Sequence, residues 1–196
     1  MKGNNLVHCA LHLLGVHKAT TQTTSNEQRA MRKYLKGAKL IGEIGVFEGY
    51  NTREFAKNSP KDARVYAIDP FFKGALGFSY GKIIARREWR RCKLQEKIVV
   101  VEGLSWDSHN SIPDNLDFLF IDGDHSFEGV ARDFESYKSK IGKDGIIAFH
   151  DARTFDRGWT TSEWGPVKFV DSVIRTNKEW EIVEETDSIV LIRKAA

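Results

Sequence analysis

Leu40–Phe55, LIGEIGVFEGYNTREF, is the stretch that decides the fold. Leu40, Ile41 and Ile44 form an apolar run of buried-strand length, and Gly45 and Gly49 bracket a turn in which backbone can approach a ligand closely. Asn51 or Thr52 is placed to cap a helix after the turn. A strand, a glycine turn and a helix start make the nucleotide-binding corner of a doubly wound α/β sheet. The spelling is E-x-G-x-x-x-G, from Glu43 through Gly45 to Gly49, and it lacks the G-x-G-x-x-G that seats a pyrophosphate. Glu43 at the strand end and Glu48 in the loop repel phosphate and suit a ligand carrying an amine or another cation. Taken alone, the two glycines also fit a plain tight turn.

The neighbouring segments favour the ligand. Ala63–Asp69, ARVYAID, is a second apolar strand that ends in an acid about twenty residues beyond the turn, the spacing at which a carboxylate accepts hydrogen bonds from both ribose hydroxyls of a nucleoside. Capping the turn before Pro70 is the structural alternative for Asp69. Lys97–Gly103, KIVVVEG, is a third strand, with Gly103, Leu104 and Ser105 where a loop meets an adenine ring. An adenosine part together with a cationic part describes S-adenosylmethionine. The expected contacts are then Glu43, Gly45, Val46, Phe47, Gly49, Asn51, Thr52, Asp69, Pro70, Gly103, Leu104, Ser105 and Asp122.

Two acid–imidazole strand tips come next. The apolar run within residues 116–121 ends in Asp122, Gly123, Asp124 and His125, and residues 142–152, GKDGIIAFHDA, place His150 and Asp151 at a similar position. Adjacent parallel strands lie about 5 Å apart, so Asp122, His150 and Asp151 can converge. Carboxylates with one imidazole suit Mg²⁺ or Mn²⁺, the imidazole favouring the latter.

At 196 residues and a net charge of +3, the chain is sized for one α/β domain and too weakly basic to imply nucleic acid. Arg86, Arg87, Arg90, Arg91 and Lys93 gather on one predicted helix, which is either a solvated face or a dock for an anionic substrate. Cys9 and Cys92 lie in no metal spacing and fit a reducing compartment as packing residues. The apolar run LVHCALHLLGV is too short to span a bilayer and fits an amphipathic helix or a subunit contact, with a signal peptide left open. His8, His12 and His17 along it form a minor candidate metal site. Ala19–Ser25 is a polar linker, and Ser25 with Gln28 spells a capping box for a helix over residues 26–36.

Residues 71–80, FFKGALGFSY, are expected as a mobile loop over the cofactor or acceptor, and a helix should follow to about Gln95. Residues 153–166, rich in Phe155, Trp159 and Trp164, are expected to build the acceptor pocket, with Tyr80, Trp159 and Trp164 able to stack on an aromatic or sugar ring. A helix over VKFVDSVIRTN and an antiparallel hairpin of EIVEET and SIVLIRK around Asp187 close the chain.

The ordered set EIGVFEG, VYAID, FIDGDHSFEGV, GKDGIIAFHD and WEIVEETDSIVLIRK resembles the class I S-adenosylmethionine-dependent methyltransferases, most closely the small-molecule and sugar O-methyltransferase branch. The resemblance implies a Rossmann-like, mostly parallel sheet with an antiparallel C-terminal hairpin strand. It divides the chain into an N-terminal helix and linker, 1–25, and a methyltransferase domain, 26–196. It also implies that Glu43, Gly45, Asp69 and the 103–105 loop bind the cofactor, and that Asp122, His150 and Asp151 hold a divalent metal in members that use one. His125 stands where catechol-type relatives carry a lysine base, so His125 with Asp122 is the expected catalytic pair. The pair His150–Asp151 replaces the acid–asparagine pair of those relatives, which separates metal use from methyl transfer. The expected acceptor is a small molecule or sugar, the expected compartment cytoplasmic, with no nucleic-acid or membrane partner and a homodimer as the candidate assembly. An NAD-type oxidoreductase and a non-catalytic binding module on the same fold are the competing expectations.

Overall fold

In a computed structural model, the described residues are 5–156 and 158–195. The strands are β1 (Leu40–Ile44), β2 (Arg64–Asp69), β3 (Ile98–Glu102), β4 (Leu116–Ile121), β5 (Ile141–Phe149), β6 (Trp180–Thr186) and β7 (Ile189–Lys194). The helices are α1 (Asn5–Leu13), α2 (Ser25–Leu35), α3 (Tyr50–Asn58), α4 (Tyr80–Arg91), α5 (Ser105–Ser108), α6 (Phe127–Tyr137) and α7 (Gly165–Phe169), the last running on into a π-helical turn, Val170–Ile174.

The strands form one sheet in the order β3-β2-β1-β4-β5-β7-β6. β1 is flanked by parallel β2 and β4, while β7 inserts antiparallel between β5 and β6. This is the expected Rossmann-like sheet with its antiparallel hairpin. Strand order reverses between β1 and β4, and in such sheets the crevice at the carboxyl ends beside that reversal takes ligands. No helix among the described residues is long and apolar enough to cross a membrane.

The runs are apolar throughout because both faces are covered. Alternate residues of β4 enter opposite cores: Phe118 and Phe120 pack with Phe55, Met31 and Trp89, and Leu119 and Ile121 with Phe134, Phe149 and Phe169. Phe55 stands edge-on to Phe118 and Phe120 at 5.6 and 5.5 Å between centroids, an aromatic contact added to its burial.

Local boundaries differ from expectation for identifiable reasons. The capping box is Thr24 with Glu27 and not Ser25 with Gln28: Thr24 Oγ1 accepts the Glu27 N–H at 3.1 Å, and Glu27 Oε2 accepts the Thr24 N–H at 2.7 Å. Neither Asn51 nor Thr52 caps α3, which begins at left-handed Gly49 without a side-chain cap. α4 stops at Arg91, short of Gln95, where Lys93 turns to φ 56°. α1 lies on α4, with Cys9, Ala19 and Ile84 in one cluster and Arg87 Nη2 donating to the Leu13 carbonyl at 2.7 Å. The three N-terminal histidines do not meet at one point. His8 Nδ1 is 2.9 Å from His17 Nδ1, whereas His12 is buried beside Glu88, at 3.7 Å.

Candidate active site

The crevice is shaped first by glycine. Gly45 has φ 85°, and a Cβ there would overlap the Asp122 carbonyl, so the ends of β1 and β4 approach more closely than a side chain permits. Asp69 then fixes the turn: its Oδ2 accepts the N–H groups of Val46 (2.8 Å) and Phe47 (3.1 Å), and its Oδ1 that of Phe71 (2.6 Å). Phe47 and Phe71 both hold positive φ, 52° and 44°. Such conformations cost about 1–3 kcal/mol each and persist where neighbours over-determine them, which Asp69 does here.

Above the turn lies a cavity of about 720 Å³, within the range of small-molecule sites. Of the residues expected to bind the cofactor, Gly45, Val46, Phe47, Asn51, Asp69, Pro70, Leu104, Ser105 and Asp122 line it. Glu43, Gly49, Thr52 and Gly103 do not. Glu43 shares the face of β1 that carries Ile41, on the side of Phe55, and is fully buried with neither carboxylate oxygen hydrogen-bonded. Burial pushes its carboxyl well above the usual range, and the charges of Asp122 and Asp69 push the same way. It is therefore no exposed counter-charge for a cofactor amine. Gly49 serves packing: a Cβ would lie 2.7 Å from Ala85 Cβ and from Trp89 Nε1, and its carbonyl accepts that indole N–H at 3.0 Å.

Several cavity residues were not expected. Thr20, Thr21 and Gln22 of the polar linker line it, together with Asn5 and Tyr50, beside residues 71–74 of the loop expected to cover it. The linker is tied across the turn. Glu48 Oε2 accepts from the Thr20 N–H (2.6 Å) and hydroxyl (2.8 Å), His8 Nε2 is 3.1 Å from Glu48 Oε1, and Asn51 Oδ1 accepts from Thr23 Oγ1 at 2.9 Å. Glu48, expected to face a cationic ligand, is thus already engaged. A run of threonines beside a capping box was the available signal.

At the far wall His125 Nε2 is 3.1 Å from Asp151 Oδ2 and 3.5 Å from Asp122 Oδ1. Behind it, His150 Nδ1 lies 3.0 Å from Asp122 Oδ1, and its Nε2 is 3.6 Å from Glu27 Oε2. Trp159 Nε1 donates to Asp151 Oδ1 at 2.7 Å. Hydrogen bonds to Asp122 and Asp151 raise His125 to about 9. Burial works against charge on His150, but Asp122, Glu27 and Asp151 outweigh it and raise it to about 10. Both carboxyls are held low, because the imidazoles outweigh the effect of burial.

Asp122 and His125 reach the cavity, whereas His150 and Asp151 are buried behind them. The ligand atoms brought within 4.8 Å of one another belong to Asp122, His125 and His150, so His125 joins the set in place of the expected Asp151. The described residues of the 153–166 loop brace this cluster and line none of the main cavity: Trp159 holds Asp151, and Trp164 stands edge-on to His125 at 5.8 Å. Of the aromatic residues expected to stack on a ring, Tyr80 lines the main cavity, beside Phe47 and Phe72, and Trp159 and Trp164 do not. Glu27 was also missed. Its Oε1 accepts from Ser188 N–H and Oγ at 2.8 and 2.7 Å, across 161 residues of chain.

A sequence family described as "Methyltransferase domain" matches residues 43–152. The uncharacterized protein R132 of Acanthamoeba polyphaga mimivirus is 27% identical over 141 residues, which make up 69% of this chain. The chain spans 61% of the length of that curated relative. Among solved structures, the fold resembles the O-methyltransferase TomG from Streptomyces achromogenes in complex with S-adenosylmethionine (TM-score 0.66, 12% identity, covering 100% of this chain and 92% of that one). It also resembles the O-methyltransferase from Bacillus cereus in complex with S-adenosylhomocysteine (0.67, 18%, 99% and 92%). A third likeness is to the S-adenosylhomocysteine-bound methyltransferase PaMTH1 from Podospora anserina (0.66, 15%, 99% and 89%).

Proposed function

The chain belongs to the methyltransferase-domain family, and from that premise we propose that it moves the methyl group of S-adenosylmethionine to a hydroxyl of a small-molecule or sugar acceptor. One observation carries the reading: a single cavity over the carboxyl ends of β2, β1 and β4 is lined by Asp69, by Gly45–Phe47 and Leu104–Trp106, and by Asp122 and His125. An adenosine-bearing donor beside Asp69 and the Gly45 turn leaves room for an acceptor hydroxyl beside the imidazole. The solved S-adenosylmethionine and S-adenosylhomocysteine complexes on this fold support that choice of donor.

The residues divide the work. Gly45 and Asp69 hold the donor's turn in shape, and the 104–106 loop closes over its base. His125 in its neutral form takes the acceptor's proton, and Asp122 and Asp151 orient its ring and stabilise the imidazolium that results, a role worth about 10²–10⁴ in rate. The remaining acceleration comes from alignment of acceptor oxygen, methyl carbon and sulfur. Burial, with the charges of Asp122 and Asp69, pushes the Glu43 carboxyl well above the usual range beneath the turn, and Thr52 opposes that shift.

A divalent ion is the finer alternative. Asp122, His125 and His150 would hold it, a carboxylate with two imidazoles that suits Mn²⁺ better than Mg²⁺. When bound it would lower the pKa of the acceptor hydroxyl. The imidazoles must first lose their protons, and a coordinated His125 is no longer a base, so the two uses of His125 exclude each other. The free cysteines, Cys9 and Cys92, support a cytoplasmic setting.

Calorimetric titration with S-adenosylhomocysteine and, in parallel, NADH tests the donor. Binding of S-adenosylhomocysteine that weakens in Asp69→Ala is expected; binding of NADH alone would overturn the reading.

A further inference from the structure

α1 and α4 run side by side away from the main cavity, which Asn5 at the start of one and Tyr80, Gly81 and Ile84 in the first turns of the other line. Cys9 packs with Ile84, His12 lies 3.7 Å from Glu88, and Arg87 Nη2 reaches the Leu13 carbonyl at 2.7 Å. That contact occupies one face of α1, and the other face is apolar too. Val7, Ala10, Leu13 and Leu14 are exposed, and α1 holds no Asp, Glu, Lys or Arg. Beyond its end Gly15, at φ 79°, folds the chain back onto the last turn, where the Val16 N–H donates to the Leu11 carbonyl at 2.9 Å. Leu14 is 76% exposed and Val16 66%, and a patch of this kind marks a contact.

The charge around the patch has one sign. Arg87 lies against Leu13, Arg90 is exposed one turn farther along the same face of α4, and Lys18 is exposed just beyond Val16. The chain has no acid before Glu27, and between residues 70 and 95 it has only Glu88, which is buried and held by Arg53 and Arg91. A second copy of the chain would set this face against itself about a two-fold axis, with like charges opposed and no exposed acid to meet them. Nucleic acid would meet the cations but leave Leu14 and Val16 against phosphate. An anionic lipid surface answers both features: its headgroups pair the cations, and the aliphatic side chains enter the acyl boundary.

We propose that α1, with the Leu13–Lys18 turn and the arginines of α4 beside it, docks the protein on an anionic phospholipid surface. An interfacial helix ordinarily carries its cations on its own polar face, and here α4 supplies them. The apolar run is too short to span a bilayer, as the sequence indicates, but that does not bar it from lying along one, so the expectation of no membrane partner gives way on this face. Because α1 and α4 both start at the main cavity, docking sets the lipid beside its mouth. The contact does not depend on what the cavity binds.

The test is co-sedimentation of the full-length protein with vesicles of phosphatidylcholine alone or of phosphatidylcholine mixed with phosphatidylglycerol. Binding to the mixed vesicles that is weakened by added salt, and no binding to phosphatidylcholine alone, is expected. Arg90→Glu should weaken it about fivefold or more, the effect of one cation at an anionic surface. Leu14→Ser combined with Val16→Ser should weaken it about tenfold or more. All three side chains are exposed, so the circular dichroism spectrum should stay that of wild type. Lys143→Glu, at an exposed cation near the start of β5 and so at the sheet edge opposite the cavity, should bind vesicles like wild type. Sedimentation with neither vesicle, equal sedimentation with both, or equal losses in Arg90→Glu and Lys143→Glu overturns the proposal. So does tighter binding of duplex DNA than of mixed vesicles, which would give the face to nucleic acid. A lipid-free dimer in analytical ultracentrifugation that Leu14→Ser with Val16→Ser splits would give it to a second copy and overturn the proposal as well.

Discussion

His125 Nε2 sits 3.1 Å from Asp151 Oδ2 while the other oxygen of that acid takes the Trp159 indole N–H at 2.7 Å. The carboxylate is thus aimed by a residue from a loop whose described residues line none of the cavity. With Asp122 it holds His125 protonated up to about 9.

The first prediction is a pH profile in chelator-treated enzyme. Only neutral His125 accepts a proton, so kcat/KM should climb tenfold per pH unit below about 9 and level off above it. Removing one acid lowers the imidazole pKa toward its ordinary value near 6.5. Asp151→Asn should therefore move the inflection down by at least one unit, read from initial rates between pH 6 and 10. An inflection unmoved in that variant would dissociate Asp151 from His125. His125→Ala should cost about 10²–10⁴ in kcat with S-adenosylhomocysteine affinity intact.

Much of this constellation could be read from residue order, for a physical reason. A strand buried on both faces writes itself as an apolar run, and the residue that ends it lies at the sheet's carboxyl edge, so Asp69, Asp122 and His150 were placeable. What side chains do there was less legible. Glu43 lies on such a strand, but the parity of β1 turns it into the core under Phe55 rather than toward a ligand. Glu27 needs Ser188, far away in sequence, to explain its burial, and Thr20 needs Glu48. Capping-box spelling also admits two registers one residue apart, and only backbone geometry decides that Thr24 is the cap.

Asp133 gives a stability test with a defined sign. Its carboxyl accepts from Ser105 Oγ, and burial raises it from 3.8 to about 6, a shift the Ser105 hydrogen bond opposes. A raised acid binds its proton more tightly in the folded state, so its stabilising share is complete below about pH 4 and is lost as pH rises through about 6. Asp133→Asn keeps an acceptor for Ser105 without the charge. The variant should match wild type near pH 4 and exceed it at pH 8 by on the order of 2 kcal/mol in thermal or urea unfolding. Equal stability at both pH values would show that Asp133 is solvated in the folded protein.

Gly45→Ala tests the closeness of β1 and β4. The added Cβ meets the Asp122 carbonyl at a φ of 85°, so either the strand tips part or the turn reorganises. Backbone strain alone is about 1–3 kcal/mol. Loss of S-adenosylhomocysteine binding by at least tenfold, with a lowered Tm, is expected. Gly37→Ala, where the new Cβ meets nothing within 4 Å, should leave both unchanged.

Glu48 is the buckle of the N-terminal strap. Its two oxygens take the Thr20 N–H, the Thr20 hydroxyl and the His8 ring, and no other acid reaches those groups among the described residues. Glu48→Ala leaves a backbone donor and a hydroxyl unpaired at about 1–3 kcal/mol in all. That cost is local, because the sheet and both its cores lie elsewhere, so opening should be confined to the strap. Hydrogen exchange should therefore quicken through residues 6–23 while β1, β4 and β5 stay protected. Because Thr20, Thr21 and Gln22 form one wall of the cavity, acceptor KM should rise more than kcat falls. Uniform acceleration of exchange across the sheet would instead make the strap part of the global folding unit, and an unchanged KM would remove it from the acceptor site.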